Sequence, residues 1–457
     1  MKRILIIGAI LVPILFSCYF SSDGSVGSLT IAVQGTAKAI GDTDTYDTAR
    51  VYFMSANTAL ENAFYDLGDG QIYAQVAVEN GTVTVEGAPV GNWNILLALG
   101  SLEGAGIFYV QQYGESGAVQ ILPDVTNEVS VAPLNANPFK TAAELFGKEV
   151  AGVAEFGSSL YAAEPGSLHS YDGPGFSVHT DQPDPAAGQT INSLSPGLDA
   201  SGNPVLYINT DQGIFLPGTP YTEFSSGLGE VSVLDSGAYT DGVNTIVYFQ
   251  RDGGLGGALF PTPAEWIDVD LSEYITGQPV LDFEIVEDLD CAFFVTKLGA
   301  FVLNADLLEG EYDAEDVFEL AKFFNTIEET FYSIQSIGYT PAGGGQMYLG
   351  TDSGAYVGVP SAPPADTFTS VSAVPGTVGR AIDKVEVSAS GYVAFLSILN
   401  LYVTDGIAAP VKIPFYGGLP GTVRDMAWMT WNSSDVLLIA GSTGLVSVDP
   451  AALGLVD

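Results

Sequence analysis

The stretch Met347-Tyr-Leu-Gly-Thr-Asp352-Ser-Gly354-Ala-Tyr-Val357 has the pattern of two β-strands joined by a tight turn. β-Branched, aromatic and other apolar residues flank the step Thr-Asp-Ser-Gly, and its glycine supplies the positive φ that a hairpin turn needs. A second copy at Leu206-Tyr-Ile-Asn-Thr-Asp211-Gln-Gly213-Ile-Phe-Leu keeps the step, and degenerate copies begin at Phe294 and Leu438. The pattern predicts a strand, a turn and a strand in each copy.

Turns of this kind recur at a regular spacing along the rest of the chain. The intervals between them are 43 to 47 residues, with one of 55. Four-stranded blades of β-propellers have this length. We therefore predict an all-β chain in which residues 136–457 form a seven-bladed β-propeller; a β-solenoid or two stacked sandwiches are the alternatives. The seven turns lie near Gly166, Gly213, Gly256, Gly299, Gly354, Asn400 and Gly444.

The one long interval contains a helical pattern. Within 313–327, Val317, Leu320, Phe324 and Ile327 follow one another at three- and four-residue spacing. This spacing places them on one face of a helix. It predicts a short helix inserted at the outer edge of the fourth blade.

A recurring outermost strand predicts how the ring closes. Similar segments follow the third strand of the second and fifth units, and another stands before the first unit, whereas the seventh unit lacks one. An incomplete seventh unit would expose strand edges, so we expect Thr141 to Phe146 to complete it. This overlap resembles the closure of seven-bladed propellers of the WD40/YVTN-like superfamily.

Residues 28–135 are typical of a separate β-sandwich. About seven segments alternate apolar and polar residues, and Asn135-Ala-Asn-Pro138 is typical of a linker to the propeller. The strand count suits an immunoglobulin-like or a prealbumin-like sandwich. The segment Ala88-Pro-Val-Gly-Asn-Trp-Asn-Ile-Leu-Leu resembles the corner before a late strand in prealbumin-like domains of bacterial surface proteins, which implies that fold.

The N-terminus has the pattern of an export signal. Lys2 and Arg3 precede an apolar stretch from Ile4 to Phe16 that is too short to span a bilayer. An ordinary signal peptide, or a membrane anchor that stays attached, would give the same pattern. The pattern predicts transport out of the cytoplasm.

The end of this stretch, Leu15-Phe-Ser-Cys18, resembles the lipobox of bacterial lipoproteins. The resemblance implies a signal peptide at 1–17, lipidation of Cys18 and a lipidated tether at 18–27. It also implies a lipid-anchored protein of the cell envelope, at the outer membrane or cell surface rather than at the inner membrane.

The charge balance excludes two classes of partner. The chain has 54 acidic and 13 basic residues, a formal net charge of −41. Phosphate backbones and anionic lipid surfaces repel such a protein. We therefore expect no nucleic-acid partner, and contact with a membrane only through the lipid anchor.

Three arginines are the candidate ligand-binding residues. Arg251, Arg380 and Arg424 belong to separate predicted blades, an arrangement that resembles the carboxylate-binding arginine triad of sialidases. The S-x-D-x-G-x-T-W boxes of sialidases are absent, as are the motifs of common hydrolases, NTPases and dinucleotide-binding enzymes. The alternative is that each arginine pairs with a local acid.

Asp42, Asp44 and Asp47 are the candidate metal ligands. They space three carboxylates along one loop, and Ca²⁺ prefers such oxygen-rich sites. A solvated turn is the alternative. No other cofactor is predicted.

A rigid propeller without catalytic motifs most commonly serves as an interaction surface. We therefore predict a non-catalytic binding or scaffold lipoprotein of the cell envelope that presents its propeller face to protein or glycan partners. The alternatives are a glycan hydrolase or lyase acting on an extracellular polysaccharide, and an envelope-assembly factor. Carboxylates and arginines that converge at the channel mouth would favour the enzyme.

Overall fold

The computed structural model describes most residues between 26 and 455. These residues form two compact units, one within 1–101 and 111–135 and the other within 102–110 and 136–457. No helix in the described part of the chain is both long and apolar enough to cross a membrane. The description omits 1–25, 34–45, 57–63, 69–70, 104–106, 132–134, 143–144, 146, 158, 172–177, 180–188, 218–221, 225–230, 241–242, 252–253, 261–265, 269–278, 304–316, 326–329, 362–367, 399, 415–420, 432–433 and 456–457.

One sheet contains eight strands, and most of its residues belong to the first unit. The strands are β1 Val26–Val33, β2 Thr48–Ser55, β3 Ala74–Glu79, β4 Thr82–Pro89, β5 Gly91–Glu103, β6 Ile107–Ile121, β7 Thr126–Val131 and β8 Asn135–Ala136. They connect in the order β7-β1-β4-β3-β2-β5-β6-β8. Strand β1 pairs in parallel with β7, and β3 pairs with both β2 and β4. The strands therefore form one connected sheet, and a sandwich of two separate sheets stays a prediction.

Trp93 belongs to the buried core of this unit. Its ring packs edge-on against Phe53 and Tyr65, with centroids 6.5 and 5.2 Å away. The indole Nε1 donates a hydrogen bond to the Pro89 carbonyl at 2.9 Å. A buried tryptophan with a satisfied N–H adds a large apolar contact area without an unpaired donor.

The second unit contains seven four-stranded antiparallel sheets among its described residues. Sheets 1 to 6 each use four strands that are consecutive in sequence. A small hairpin of β26 Phe324–Asn325 and β27 Thr330–Phe331 follows sheet 4, and 3₁₀ turns span Glu287–Leu289, Ala342–Gly344 and Pro450–Leu453. The sheets are sheet 1, β10 Gly152–Phe156, β11 Ser159–Glu164, β12 Ser167–Tyr171 and β13 Val178–His179; sheet 2, β14 Ile191–Leu198, β15 Pro204–Thr210, β16 Gly213–Leu216 and β17 Thr222–Glu223; sheet 3, β18 Val233–Thr240, β19 Thr245–Arg251, β20 Gly254–Phe260 and β21 Trp266–Asp268; sheet 4, β22 Asp282–Val286, β23 Cys291–Thr296, β24 Gly299–Leu303 and β25 Val317–Ala321; sheet 5, β28 Ile334–Thr340, β29 Gln346–Thr351, β30 Gly354–Pro360 and β31 Phe368–Ala373; sheet 6, β32 Lys384–Val387, β33 Val393–Leu396, β34 Asn400–Thr404 and β35 Val411–Pro414; and sheet 7, β36 Val423–Trp431, β37 Ser434–Gly441, β38 Gly444–Val448 and β9 Phe139–Thr141.

The first strands of the seven sheets contact one another in a closed circle. Strand β10 contacts β14, and the contacts continue through β18, β22, β28, β32 and β36, which contacts β10 again. Apolar residues between neighbouring sheets are fully buried, as in the cluster of Tyr248 with Phe294 and Phe301. The seven sheets therefore surround a common centre.

Sheet 7 takes its fourth strand from the beginning of the unit. Phe139 is paired with Val448 and Thr141 with Val446 across β9 and β38. The expected segment was Thr141 to Phe146, but the strand begins two residues earlier and ends at Thr141. Ala142 and Leu145 are instead buried in the apolar core between sheets 7 and 1.

Hydrogen bonds of a threonine side chain stabilise the recurring turns. The Thr351 Oγ1 accepts from the Ser353 backbone N–H at 3.1 Å and donates to the Gly354 carbonyl at 2.8 Å, and Thr210 makes the same two bonds in sheet 2. Gly354 has a φ of 141°. An added Cβ there would lie 3.2 Å from the Thr377 carbonyl oxygen, so the turn requires glycine.

The aspartates of these turns reach a neighbouring segment. Asp211 accepts from the Thr190 backbone N–H at 3.0 Å, and Asp352 accepts from the Ser333 backbone N–H at 3.2 Å. Thr190 and Ser333 directly precede the first strands of the same sheets. Each aspartate therefore ties the turn to the start of the innermost strand.

Two predictions from spacing were wrong. Gly256 lies inside β20, because the third turn falls between Arg251 and Gly254. The predicted helix over 313–327 is replaced, in its described part, by β25 and the hairpin strand β26. A bulge in β25 shifts its register against β24, so Val317 and Leu320 are both buried at helix-like spacing within a strand.

Candidate functional site

A channel of about 1010 Å³ runs through the centre of the ring. Residues from the first strand of every sheet line it. Side chains alternate between the two faces of a strand, so residues two apart along a first strand share a face. The channel is therefore the place where seven short sequence segments meet.

Acidic residues dominate the described lining. Seven carboxyl groups line the channel against two basic groups, and Lys384 is the basic group in the middle of it. Asp282 and Glu284 stand two apart on β22, and Lys384 and Glu386 stand two apart on β32. The acidic lining residues are Glu155, Asp235, Asp282, Glu284, Asp383, Glu386 and Asp425.

Bulges place several of these groups at equivalent positions. Four first strands shift register near their beginning, directly before Ser193, Asp235, Ser336 and Asp425. A bulge adds one unpaired residue and re-aims the side chains after it. The same local irregularity therefore produces a ring of polar groups from sheets that differ in sequence.

Asp425 joins three sheets. Its Oδ2 accepts from the Val153 backbone N–H of sheet 1 at 3.0 Å, and its Oδ1 accepts from Lys384 Nζ of sheet 6 at 2.7 Å. Glu386 lies 3.5 Å from the same ammonium group. The ion pair is partly shielded, with 30% of the Lys384 side chain and 12% of the Asp425 side chain exposed.

Asp235 and Asp282 join further pairs of sheets. Asp235 accepts from Ser195 Oγ of sheet 2 at 2.6 Å. Asp282 accepts from Ser336 Oγ and, at 3.0 Å, from the Ile337 backbone N–H, both of sheet 5. Charge-assisted hydrogen bonds of this kind are stronger than neutral ones. These carboxylates therefore hold neighbouring sheets together.

Burial changes the protonation of the channel. It raises the pKa of Glu386 to about 8, although Lys384 acts in the opposite direction, and it raises the pKa of Asp235 to about 6. Burial lowers the pKa of Lys384, but Asp425, Glu386 and Asp282 together raise it well above its usual value. Lys384 therefore stays charged at neutral pH while Glu386 holds its proton.

Glu284 differs from the other channel acids. Burial raises its pKa well above the usual value, and Asp282, Glu386 and Asp235 raise it further. No cation opposes this shift, in contrast to Asp235, Asp282 and Glu386, whose pKa values Lys384 lowers. Among the described residues, no hydrogen bond holds the Glu284 carboxyl group.

The three predicted arginines have different surroundings. Arg424 lines the channel and pairs with Glu149 at 3.0 Å at the exposed surface. The Arg380 guanidinium lies 5.9 Å from the centre of the Tyr402 ring. Arg251 ends β19, and neither it nor Arg380 is a lining residue. The described channel lining therefore includes one of the three, and their role in binding stays a prediction.

The predicted metal and lipidation residues lie mostly outside the described residues. This applies to Asp42, Asp44 and Cys18. Asp47 is described, and its Oδ1 accepts from Thr48 Oγ1 at 2.8 Å. Within the described part of the chain, no group of three or more His, Cys, Asp or Glu side chains could hold a metal ion.

The channel acids did not enter the predicted site. Their signal in the sequence is a charged residue at every second position of a short apolar strand, as in Asp282-Phe-Glu284 and Lys384-Val-Glu386. Such alternation is equally typical of a strand with one face in solvent. Only the closed ring shows that the polar face points to a shared channel.

We expect Glu386 to make the stability fall as pH rises. In the folded protein it keeps its proton up to about pH 8, whereas an ordinary glutamate loses it near 4.5. The folded state therefore binds more protons than the unfolded state between these values, and stability decreases through that window. The temperature of half-unfolding should therefore decrease as the pH is raised from 5 to 9. In Glu386→Gln this decrease should be less steep.

Glu287→Gln is the matched control for this prediction, because Glu287 is exposed and does not line the channel. It should keep the wild-type slope. If the unfolding midpoint depended on pH equally in Glu386→Gln and in the wild type, Glu386 would not be the group that keeps its proton in the folded protein.

No protein-family model and no curated protein matches the chain. Among solved structures, it is similar to the extracellular domain of the hybrid two-component system BT4673 from B. thetaiotaomicron, with 12% identity and a TM-score of 0.49 over 68% of this chain and 39% of that one. It is similar to PorZ, a surface component of the type IX secretion system of Porphyromonas gingivalis, with 12% identity and a TM-score of 0.46 over 82% and 55%. It is also similar to YCF48 bound to D1 peptide, with 10% identity and a TM-score of 0.46 over 71% and 97%. At this level of likeness the strand pairing, and not the comparison, defines the fold.

Proposed function

We propose that this chain is a seven-bladed β-propeller, preceded by a β-sandwich, that works as a non-catalytic binding or scaffold lipoprotein of the cell envelope. The ring of seven four-stranded sheets with its overlapping last strand supports the propeller. The N-terminal pattern that ends at Cys18 supports the lipid anchor.

One observation carries the non-catalytic role: the channel aspartates are engaged in joining sheets. Asp235, Asp282 and Asp425 each accept hydrogen bonds from a neighbouring sheet. A catalytic carboxylate must instead be within reach of a substrate proton or carbon. The ionised groups of the channel therefore serve the rigidity of the ring, which suits a scaffold.

The end of the ring where the first strands begin is the proposed binding face. The turns between second and third strands lie at this end, because the strands of each sheet are antiparallel. Val378 and Ile398 lie there with 63% and 77% of their surface exposed. Loops on a rigid scaffold commonly carry binding residues, so we place protein or glycan partners at this face.

A glycan hydrolase or lyase is the second candidate, and the protonation of the channel favours it. Glu386, with a pKa of about 8, holds its proton near neutral pH as a general acid must, and burial raises the pKa of Glu284 in the same direction. This candidate needs a substrate that enters the channel.

The two candidates differ in turnover. We expect the full chain to retain polysaccharides or envelope proteins on a column and to release no new reducing or unsaturated ends from a panel of acidic and neutral polysaccharides. The variant Glu284→Gln/Glu386→Gln should behave in the same way. Turnover by the wild type that this variant loses would establish the enzyme and reject the scaffold.

A further inference from the structure

We propose that Asn80 is a site of spontaneous modification, at which the side-chain amide converts to an aspartate or, with a rearranged backbone, to an isoaspartate. The site is the turn between β3 and β4 in the first unit. Asn80 does not line the channel. The inference therefore goes beyond the proposed scaffold role and does not depend on it.

Asn80 and Gly81 form a two-residue turn between paired strands. Glu79 pairs with Thr82 directly across the turn. Both turn residues have positive φ, 51° for Asn80 and 74° for Gly81. Hairpin turns of this kind prefer the sequence Asn-Gly, and the chain contains this pair only here. The geometry of the turn therefore places a glycine directly after an asparagine.

The reaction needs only these two residues and water. The Gly81 backbone nitrogen attacks the side-chain carbonyl carbon of Asn80, a five-membered succinimide ring closes, and the side-chain nitrogen leaves as ammonia. Water then opens the ring at either of its two carbonyl groups. One opening gives aspartate, and the other gives isoaspartate, in which the main chain runs through the former side chain. The net change is the loss of ammonia and the gain of water.

Three features of the structure leave this reaction unhindered. Asn80 and Gly81 are both exposed, so water reaches the ring. A Cβ added to Gly81 would meet no atom within 4 Å beyond its chain neighbours, so the attacking nitrogen has room to turn. Among the described residues, no hydrogen bond holds the Asn80 side chain or the Gly81 N–H. The reacting groups are therefore accessible and unrestrained.

Asn192 has the opposite surroundings. It also precedes a small residue, Ser193. However, it is half-buried within β14, and its side-chain amide donates to the Val233 carbonyl at 2.8 Å. The side chain cannot swing toward the next backbone nitrogen without breaking this bond. Asn192 is therefore an internal control for the reaction.

The isoaspartate product should loosen the hairpin. It adds one methylene group to the main chain of a turn that has two residues. The described strands β3 and β4 are joined by two residue pairs, and both lie beside this turn. The Gly81 carbonyl also accepts from the Val33 N–H of β1 at 3.0 Å. The longer main chain therefore acts directly on the contacts of β3 and β1 with this hairpin.

Peptide mapping of the full chain by mass spectrometry tests the site. The protein is incubated at pH 8 in ¹⁸O-labelled water and then digested at acidic pH. The peptide that carries Asn80 should gain one labelled oxygen and split into an aspartate and an isoaspartate form, whereas the peptide that carries Asn192 should stay unchanged. This comparison lies within one protein and needs no variant.

Hydrogen exchange of β3 and β4 tests the consequence. Their amides should exchange faster in the incubated wild type than in fresh protein. Asn80→Gly has no side chain that can close the ring, and Gly-Gly suits the same turn, so its exchange should not change with incubation. Fresh Asn80→Asp, which carries the new charge without the longer main chain, should match fresh wild type.

An unmodified Asn80 after incubation, or equal modification of Asn192, would overturn the proposed site. Unchanged exchange in the modified protein would reject the loosening of the hairpin. Equally fast exchange in fresh Asn80→Asp would assign the loosening to charge and reject the longer main chain as its cause.

Discussion

Replacing residues 137–147 by a Gly-Ser segment of equal length should lower the thermal unfolding midpoint of the seven-sheet unit by about 10 °C. The replacement removes β9 and the buried side chains of Phe139, Ala142 and Leu145. Truncating a buried Phe costs about 3 to 5 kcal/mol and a buried Leu about 2 to 5 kcal/mol. At about 2 °C per kcal/mol for a unit of this size, the sum reaches this shift.

The replacement should also expose the edge of β38. An unpaired strand edge is a template for pairing with another chain, so dimers or aggregates should appear by light scattering. The milder variant Phe139→Ala should lower the midpoint by about 6 °C, the low end expected for truncating a buried Phe, and stay monomeric. An unchanged midpoint and a monomer after the full replacement would show that the ring does not depend on this strand.

Lys384→Met should destabilise the protein by about 3 kcal/mol. The lysine is a cation of the channel, and its removal leaves the Asp425 carboxylate uncompensated. Breaking a buried ion pair by removing one partner costs about 3 to 5 kcal/mol. We take the lower figure because 30% of the Lys384 side chain remains exposed to screening water.

The loss should depend on the acid that stays behind. Lys384→Met/Asp425→Asn should be less destabilised than the sum of its two single variants, measured by chemical denaturation as a double-mutant cycle. Lys412→Met is the matched control, since Lys412 is an exposed residue of the same sheet outside the channel. Additive effects, or an equal loss in Lys412→Met, would reject the channel network.

The strand pattern could be predicted from sequence because it is local. The Thr-Asp-x-Gly step predicted the turns at Asp211 and Asp352, since positive φ at glycine and apolar alternation act over a few residues. The role of the aspartate could not be predicted, because its partner lies at the start of another strand, at Thr190 or Ser333.

The contacts inside the channel, in contrast, could not be predicted from the sequence. Asp235, Asp282, Lys384 and Asp425 come together from four sheets, and their spacing in sequence carries no sign of contact. Three arginines drew attention because basic residues are scarce in this chain. Lysines are equally scarce, but a single Lys in a strand such as Lys384-Val-Glu-Val387 is ordinary on an exposed face. Its sequence context therefore did not indicate a position in the channel.

The central claim is that the ring closes through β9, and a disulfide between β9 and β38 tests it most directly. Phe139 and Val448 are directly paired and both buried, and paired positions of antiparallel strands bring Cβ atoms to about 5 Å. Oxidation of the full chain carrying Phe139→Cys and Val448→Cys, followed by digestion and mass spectrometry, should yield one peptide pair joined within a single molecule. Absence of this link, or a link formed only between molecules, would contradict the closed ring.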